Sequence, residues 1–347
     1  MDVFDDEFIA TQRRKYDGKP RSHRLDLHFV ATSPNRQALR DWVNDTVARL
    51  PSLSQPAISK RLREDRHFIT TISELGVASV LLDAGLTPHY ETPFDTLTPD
   101  WYVGPTDDSP GMIIEVWTQQ PRQGDAKRRR GWIGLLDRIA EIPVDVALVI
   151  EPSRSGFRPP DPSAAKRLSQ ELRRWLLRAP RSEGQPFEFE GYRLRVLGPT
   201  GVGMRARLAM PGVGGAFDTG KAVQQIKEKS RKYEEVASAS GCALAVVLAA
   251  EPSEPLDLDL LRSTLRGEQS VSIAIPTAPT DPLLADWSTT LHNNHVPPTF
   301  GSALSAIGWV DTRDANAVIT MFDLPGANVA FPRLDTPRLS HEDVFKP

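Results

Sequence analysis

Apolar positions along the chain alternate between two periods. Leu39, Trp42, Val43, Val47 and Leu50 recur at helical spacing within 35–50, which predicts an amphipathic helix. Phe68, Ile69, Ile72, Leu75, Ser79 and Leu82 mark one face of a second helix, and Val77 and Leu81 add apolar surface near its opposite side. Glu74 falls on that second side, where a carboxylate is costly to bury unless it is paired. The pattern then shortens to strand length. Trp101-Tyr102-Val103 and Ile113-Ile114 are strand formers, and residues 106–111 between them (Thr-Asp-Asp-Ser-Pro-Gly) have turn chemistry.

Beyond this hairpin, 127–141 reads as a basic helix and 144–150 as a strand buried on both faces. Residues 163–177 read as another helix, 187–189 and 192–196 as a hairpin about Glu190-Gly191, and 205–209 as a strand. Residues 219–238 form the clearest amphipathic helix, with Val223, Ile226, Ser230, Tyr233 and Ala237 as its buried stripe, and 243–250 is a further buried strand. Shorter strand-like runs occur at 25–31, 271–275 and 318–322. Strands alternating with helices predict an α/β chain with a mixed sheet flanked by helices. Three parts are expected: a mostly helical N-terminal module over 1–66, a core over 67–250, and an accessory C-terminal region over 251–347 with a loose tail.

Composition narrows the function. A net charge of −3 excludes a generally basic protein, so any contact with nucleic acid must use a local patch. The single cysteine, Cys242, excludes an intramolecular disulfide and a cysteine-rich zinc site. The acidic start lacks an apolar leader and no run of 18 apolar residues occurs. A cytoplasmic protein with no membrane partner is the expectation.

The hairpin carries the chemistry. Folding it about 106–111 puts Asp100 opposite Glu115, on one face with Cβ atoms about 5 Å apart, where like charges destabilise unless a cation lies between them. Pro99 suits the start of the first strand, where a missing N–H removes no ladder bond. Oxygen ligands held this way suit Mg²⁺, which takes one or two protein carboxylates and leaves its remaining positions to water and phosphate. The alternative for each acid is an ion pair: Asp100 with an arginine, Glu115 with a cation of 127–130, Glu74 with Arg66 or His67.

Glu74 on a helix, Pro99-Asp100 opening a strand and Glu115-Val116-Trp117 on the next together resemble the PD-(D/E)XK superfamily, the restriction-endonuclease-like fold. Lys229-Ser230-Arg231-Lys232-Tyr233 before a buried strand is similar to a Lys-x-x-Lys-Tyr helix of some bacterial proteins of that fold. The resemblance covers about residues 60–250. It implies that Asp100 and Glu115 hold Mg²⁺ or Mn²⁺, that Glu74 helps bind or orient the ion, and that a lysine two residues after Glu115 positions the attacking water. Trp117 stands at that last position. Lys229 is then the first choice for the missing lysine and Lys227 the second. The implied activity is metal-dependent phosphodiester hydrolysis, a DNA nuclease in a restriction or phage-defence setting, with a homodimer or larger assembly if both strands are cut. The alternative implied by Trp117 is a catalytically inactive relative that binds nucleic acid or serves assembly.

Three further motifs carry weaker signals. Residues 54–62 resemble the recognition helix of helix-turn-helix regulators, against a plain helix with Ser54 as N-cap and Pro56 in its first turn. The glycine-rich stretch 198–204 lacks the Lys and Ser/Thr of a phosphate loop and reads as a loop. His292 and His295 have metal-like spacing without a third ligand, and also read as loop.

Overall fold

The computed structural model describes residues 2–17, 26–119, 123–151, 158–201, 205–209, 219–250, 258–266, 270–274, 288–292, 298–312, 317–334 and 338–339. Helices α1 (Asp6–Lys15), α2 (Asp26–Thr32), α3 (Gln37–Arg49), α4 (Gln55–Leu62) and α5 (Phe68–Asp83) precede strands β1 (Pro88–Tyr90), β2 (Trp101–Val103) and β3 (Met112–Gln119). Next come α6 (Gln123–Ala140), β4 (Val146–Glu151), α7 (Pro162–Arg178), β5 (Pro186–Phe189), β6 (Tyr192–Gly198) and β7 (Ala206–Ala209). The chain continues through α8 (Thr219–Ser240), β8 (Ala243–Ala250), α9 (Leu258–Arg266), β9 (Ser270–Ala274), β10 (Ser288–His292), β11 (Leu304–Asp311), β12 (Val318–Asp323) and β13 (Arg338–Leu339).

A seven-stranded mixed sheet runs in the order β1-β2-β3-β8-β11-β12-β13. β1, β2 and β3 are antiparallel neighbours, whereas β3, β8 and β11 are parallel. The apolar runs of β3, β8 and β11 follow from that position, because a parallel strand deep in a sheet is covered on both faces. One cover comes from the N-terminal helices and α5, whose Val43, Val47, Ile58, Leu62 and Leu75 join Met112, Ile114 and Val116 in a single core. The other comes from α8 and α9, with Ile226, Tyr233, Leu261 and Leu265 against Ile113, Val246 and Ile307.

Gly76 lets α5 lie close to the sheet. A Cβ there would stand 2.5 Å from Thr312 Cγ2 and 3.1 Å from Val310 Cγ2. The glycine costs about 1 kcal/mol of helix propensity, which the buried contact offsets.

The expected mixed sheet with flanking helices is present, and several expectations change in detail. Residues 25–31 are expected as a strand, but 26–32 form α2, because Leu27, Val30 and Ala31 share one helical face and all three are buried. The sheet runs past the soft boundary near residue 252: β11 lies between β8 and β12, buried along almost its whole length. β4 is expected to be buried on both faces, yet only Val146, Leu148 and Ile150 are buried. It belongs to a second sheet, β5-β6-β4-β7. There α6 and α7 supply Trp132, Leu135, Leu168 and Leu172 to a separate core.

The hairpin about Glu190 and Gly191 is as expected, with φ of 47° and 80° at the two turn residues. His292 ends β10 rather than lying in a loop, and His295 lies outside the described residues, as do 202–204 of the glycine-rich stretch. Among the described residues, no helix is long and apolar enough to cross a membrane.

Candidate functional site

The strand pair β2–β3 places the acids. Trp101 faces Ile114, Tyr102 faces Ile113 and Val103 faces Met112. Continuing that register by one step brings Asp100, just before β2, opposite Glu115. Asp100 Oδ2 accepts the backbone N–H of Val116 at 2.7 Å, and its carbonyl accepts from Glu91 N at 3.2 Å. The residue is thus tied to β3 through its carboxylate and to the segment after β1 through its backbone carbonyl. Asp100 as a whole residue is half-buried.

Glu115 points to the α8 side of the sheet and is almost fully buried. Lys229, from the middle of α8, makes a direct ion pair with its Oε2. Lys229 keeps 21% of its side chain exposed against 3% for Glu115. Tyr233, one helical turn on and fully buried, donates its hydroxyl to Thr98 O at 2.9 Å and accepts from Lys232 Nζ at 2.8 Å. Burial and the neighbouring Glu115 push the ionisation of this phenol up, so it stays neutral.

Glu74 reaches the same cluster from α5. Its Oε2 accepts the Tyr90 hydroxyl at 2.8 Å, and Arg61 Nη2 lies 3.6 Å from Oε1. Arg61, from α4, also holds Glu91 at 2.6 Å. Trp101 Nε1 donates to the carbonyl of Glu74 at 2.8 Å and ties β2 to α5 at this point. Burial pushes the Glu74 pKa up, against the pull of Arg61 and of the Tyr90 hydrogen bond.

The Asp100 pKa is pushed up to about 8, first by burial, then by the charges of Glu115 and Glu74, with Lys229 and the Val116 N–H opposing. Among the described residues, the cations paired with Glu74, Glu91 and Glu115 are Arg61 and Lys229, so an ionised Asp100 adds a fourth acid to two cations. The cluster is then short of positive charge.

Of the residues expected to act together, Glu74, Asp100, Glu115 and Lys229 are brought to one place. The expected ion-pair alternatives are replaced by others. Glu74 pairs with Arg61, whereas Arg66 and His67 lie against Glu64, and Glu115 pairs with Lys229 rather than with a cation of 127–130. Lys227 does not join them. It lines a cavity of about 300 Å³ on another side of α8, together with Ser230, Arg231, Glu234 and Phe300. Trp117 is half-buried beside the apolar layer under α8, with Lys221 Nζ 5.9 Å from its ring centre.

Arg61 and Tyr90 were not singled out by their sequence context. Arg61 stands within the stretch that resembles a recognition helix. In α4, however, Ile58, Ser59 and Leu62 are buried and Arg61 is turned to the two glutamates. Ser54 does not cap α4 with its side chain; its Oγ accepts the backbone N–H of Tyr90 at 3.1 Å instead.

The donor set suits a hard divalent cation, since Asp100 and Glu115 are both carboxylates and the acids of the cluster outnumber the cations paired with them. Among the described residues, no three His, Cys, Asp or Glu side chains are arranged to hold an ion together. Two carboxylates are the number that Mg²⁺ commonly takes from a protein. Comparison of the chain with family models, with curated proteins and with solved structures returned no match. The chemistry of this cluster therefore carries the functional reading.

Proposed function

We propose that the protein hydrolyses phosphodiester bonds in nucleic acid, with DNA as the substrate, at a divalent-cation site formed by Asp100 and Glu115. The observation that carries this reading is the Asp100 carboxyl, set beside Glu115 and Glu74 next to the Glu115–Lys229 ion pair and pushed up to about 8 by burial and by the two glutamates. The order of the site-bearing elements, α5, β2, β3, α8 and β8, supports the restriction-endonuclease-like reading, because it is the order on which the resemblance rests.

Asp100 and Glu115 would hold Mg²⁺ or Mn²⁺, which supplies charge stabilisation to the phosphate oxygens and acidifies a bound water. Val116 N–H fixes one Asp100 oxygen, leaving the other free to ligate. Glu74, held by Tyr90 and Arg61, adds negative potential without leaving its own layer. Lys229 takes the role of the absent motif lysine: its ammonium lies on Glu115 and its side chain is partly exposed, so that it can orient a water or a phosphate oxygen. The restriction or defence setting, the cytoplasmic location and a dimer that cuts both strands belong to the same proposal and rest on the resemblance.

Incubation with plasmid, linear and single-stranded DNA and with RNA, in Mg²⁺ or Mn²⁺, should give cleavage that Asp100→Ala abolishes. Absence of cleavage on every substrate and with both ions would overturn the proposal.

One observation favours a second reading. Lys229 already neutralises Glu115 and Trp117 occupies the usual lysine position, as expected of a nuclease-like domain that has lost catalysis and only binds. Calorimetric titration with Mn²⁺ separates the two, since a relict site would neither bind the ion nor cut.

A further inference from the structure

The charge of this protein is sharply segregated. Residues 123–209, which leave β3 after Glu115 and return to α8 before Lys229, carry 17 Lys and Arg against 10 Asp and Glu. That is a formal +7 within a chain of −3, so the remainder is −10. The elements of this segment, α6, α7 and β4 to β7, build a core of their own. A basic module is thus inserted in sequence between the two elements that supply the Glu115–Lys229 pair.

Helix α7 concentrates the charge. Asp161 caps it by accepting from Ser163 N and Ala164 N at 2.8 Å, and Pro162 opens it. Ala165, Leu168, Leu172 and Leu176 form its buried stripe. The opposite arc carries Lys166, Arg167, Arg173, Arg174 and Arg178, all exposed, with Leu177 (52% exposed) among them. Arg167 is paired with Glu190 and Arg174 with Glu171. Lys166, Arg173 and Arg178 have no ion-pair or side-chain hydrogen-bond partner among the described residues.

Arg174 and Arg178 stand four residues apart on this arc, a spacing at which like charges repel. The arc is also long enough, over 17 residues, to follow several successive phosphates.

We propose that the exposed face of α7 is the surface on which this protein docks the sugar–phosphate backbone of nucleic acid, with Lys166, Arg173 and Arg178 as the phosphate contacts. This rests in part on the phosphodiesterase reading of the carboxylate site. A nucleic acid fits the arc better than a membrane does, because the apolar side of α7 is sealed in the module's core and only Leu177 remains to insert. The surface is independent of base sequence, as contacts to phosphate alone are. It also resolves how a net-acidic chain holds a polyanion: the acidic potential of the remainder is kept off the strand by presenting it on the inserted module.

The test is fluorescence anisotropy with the full chain in EDTA, using labelled duplex DNA, single-stranded DNA and RNA of equal length across a series of KCl concentrations. The triple variant K166Q/R173Q/R178Q should bind about tenfold or more weakly at low salt, and the slope of log affinity against log salt should fall by about 3, close to one per lost phosphate contact. The three probes establish which backbone is preferred. The titration needs neither a divalent cation nor cleavage, so failure of this inference is distinguishable from failure of the catalytic reading. Circular dichroism melts establish that the triple variant is folded, and K166R/R173K/R178K should retain binding. The inference is overturned if the wild type binds none of the probes at low salt, if the folded triple variant binds with unchanged affinity and slope, or if anionic phospholipid vesicles compete away the nucleic acid through the same three residues.

Discussion

Asp100 Oδ2 accepts the backbone N–H of Val116 at 2.7 Å, so the aspartate is anchored one residue beyond the glutamate whose charge opposes its own. Lys229 and that hydrogen bond favour the ionised form, while burial, Glu115 and Glu74 all disfavour it, and the balance pushes the carboxyl up to about 8.

A stability profile follows from this balance. Because the folded state raises the Asp100 pKa above its unfolded value, the favourable contribution is fully present below about pH 4 and is lost as the pH climbs towards 8. Asp100→Asn mimics the protonated side chain. Its melting temperature should match the wild type near pH 4 and exceed it by a margin that grows up to about pH 8 and then levels. A constant offset over that range, measured by thermal melts of both proteins, would show that Asp100 does not titrate as described.

A divalent cation should reverse the same penalty. It binds the ionised form, so Mn²⁺ at about a hundred times its dissociation constant should stabilise the wild type by about 2.7 kcal/mol at pH 8. Asp100→Asn and Glu115→Gln should show no such gain. At pH 7, binding should also release close to one proton, read as a dependence of the calorimetric heat on the ionisation enthalpy of the buffer. Binding without proton release would place the ion away from Asp100.

Glu74 and Arg61 should behave as a pair. Arg61→Ala leaves a carboxylate that is 7% exposed with only the Tyr90 hydroxyl for support. The cost should be about 3 kcal/mol, at the low end for a broken buried pair because Arg61 itself is 27% exposed. Tyr90→Phe should cost about 1–3 kcal/mol by removing the hydrogen bond to a buried acceptor. The double variant R61M/E74Q should recover most of the loss from Arg61→Ala. Equal and additive losses in chemical denaturation would mean that the two residues do not interact.

The hairpin was legible in the sequence because its turn chemistry fixes a register, and a register fixes which side chains face one another. The helix stripe Ile226, Ser230, Tyr233 and Ala237 was legible for the same kind of reason, since helical period alone decides its buried side. Arg61 and Tyr90 were not, because their partner Glu74 is supplied across tertiary contacts that no local period encodes. The separate sheet around β4 was missed because alternating and continuous burial look alike in a run of valine, alanine, leucine and isoleucine. Strand β11 was missed because small residues, Ser305, Ala306 and Gly308, dilute its apolar signal. Gly308 is required there, as a Cβ would lie 2.8 Å from Val247 Cγ2 and 2.9 Å from Met321 Sδ.

The proposal that Lys229 takes the place of a lysine at position 117 can be tested by moving the charge back. Lys229→Met should lower cleavage by about a hundredfold or more, the range for a group that orients or activates the nucleophile. It should leave Mn²⁺ binding intact or tighter, since the ammonium no longer competes for Glu115. Residues 115 and 117 share one face of β3, so a lysine at 117 can reach the same carboxylate. The double variant K229M/W117K should therefore regain part of the lost rate, despite about 1–3 kcal/mol of lost packing where the half-buried indole touches the layer under α8. Arginine in place of Trp117 in the same background should rescue less, because its planar fork is a poorer match to a single carboxylate oxygen and a water. If Lys229→Met cuts as the wild type does, or if the folded double variant binds Mn²⁺ yet stays as slow as Lys229→Met, then the ammonium on α8 is a structural counter-charge and not the transplanted lysine.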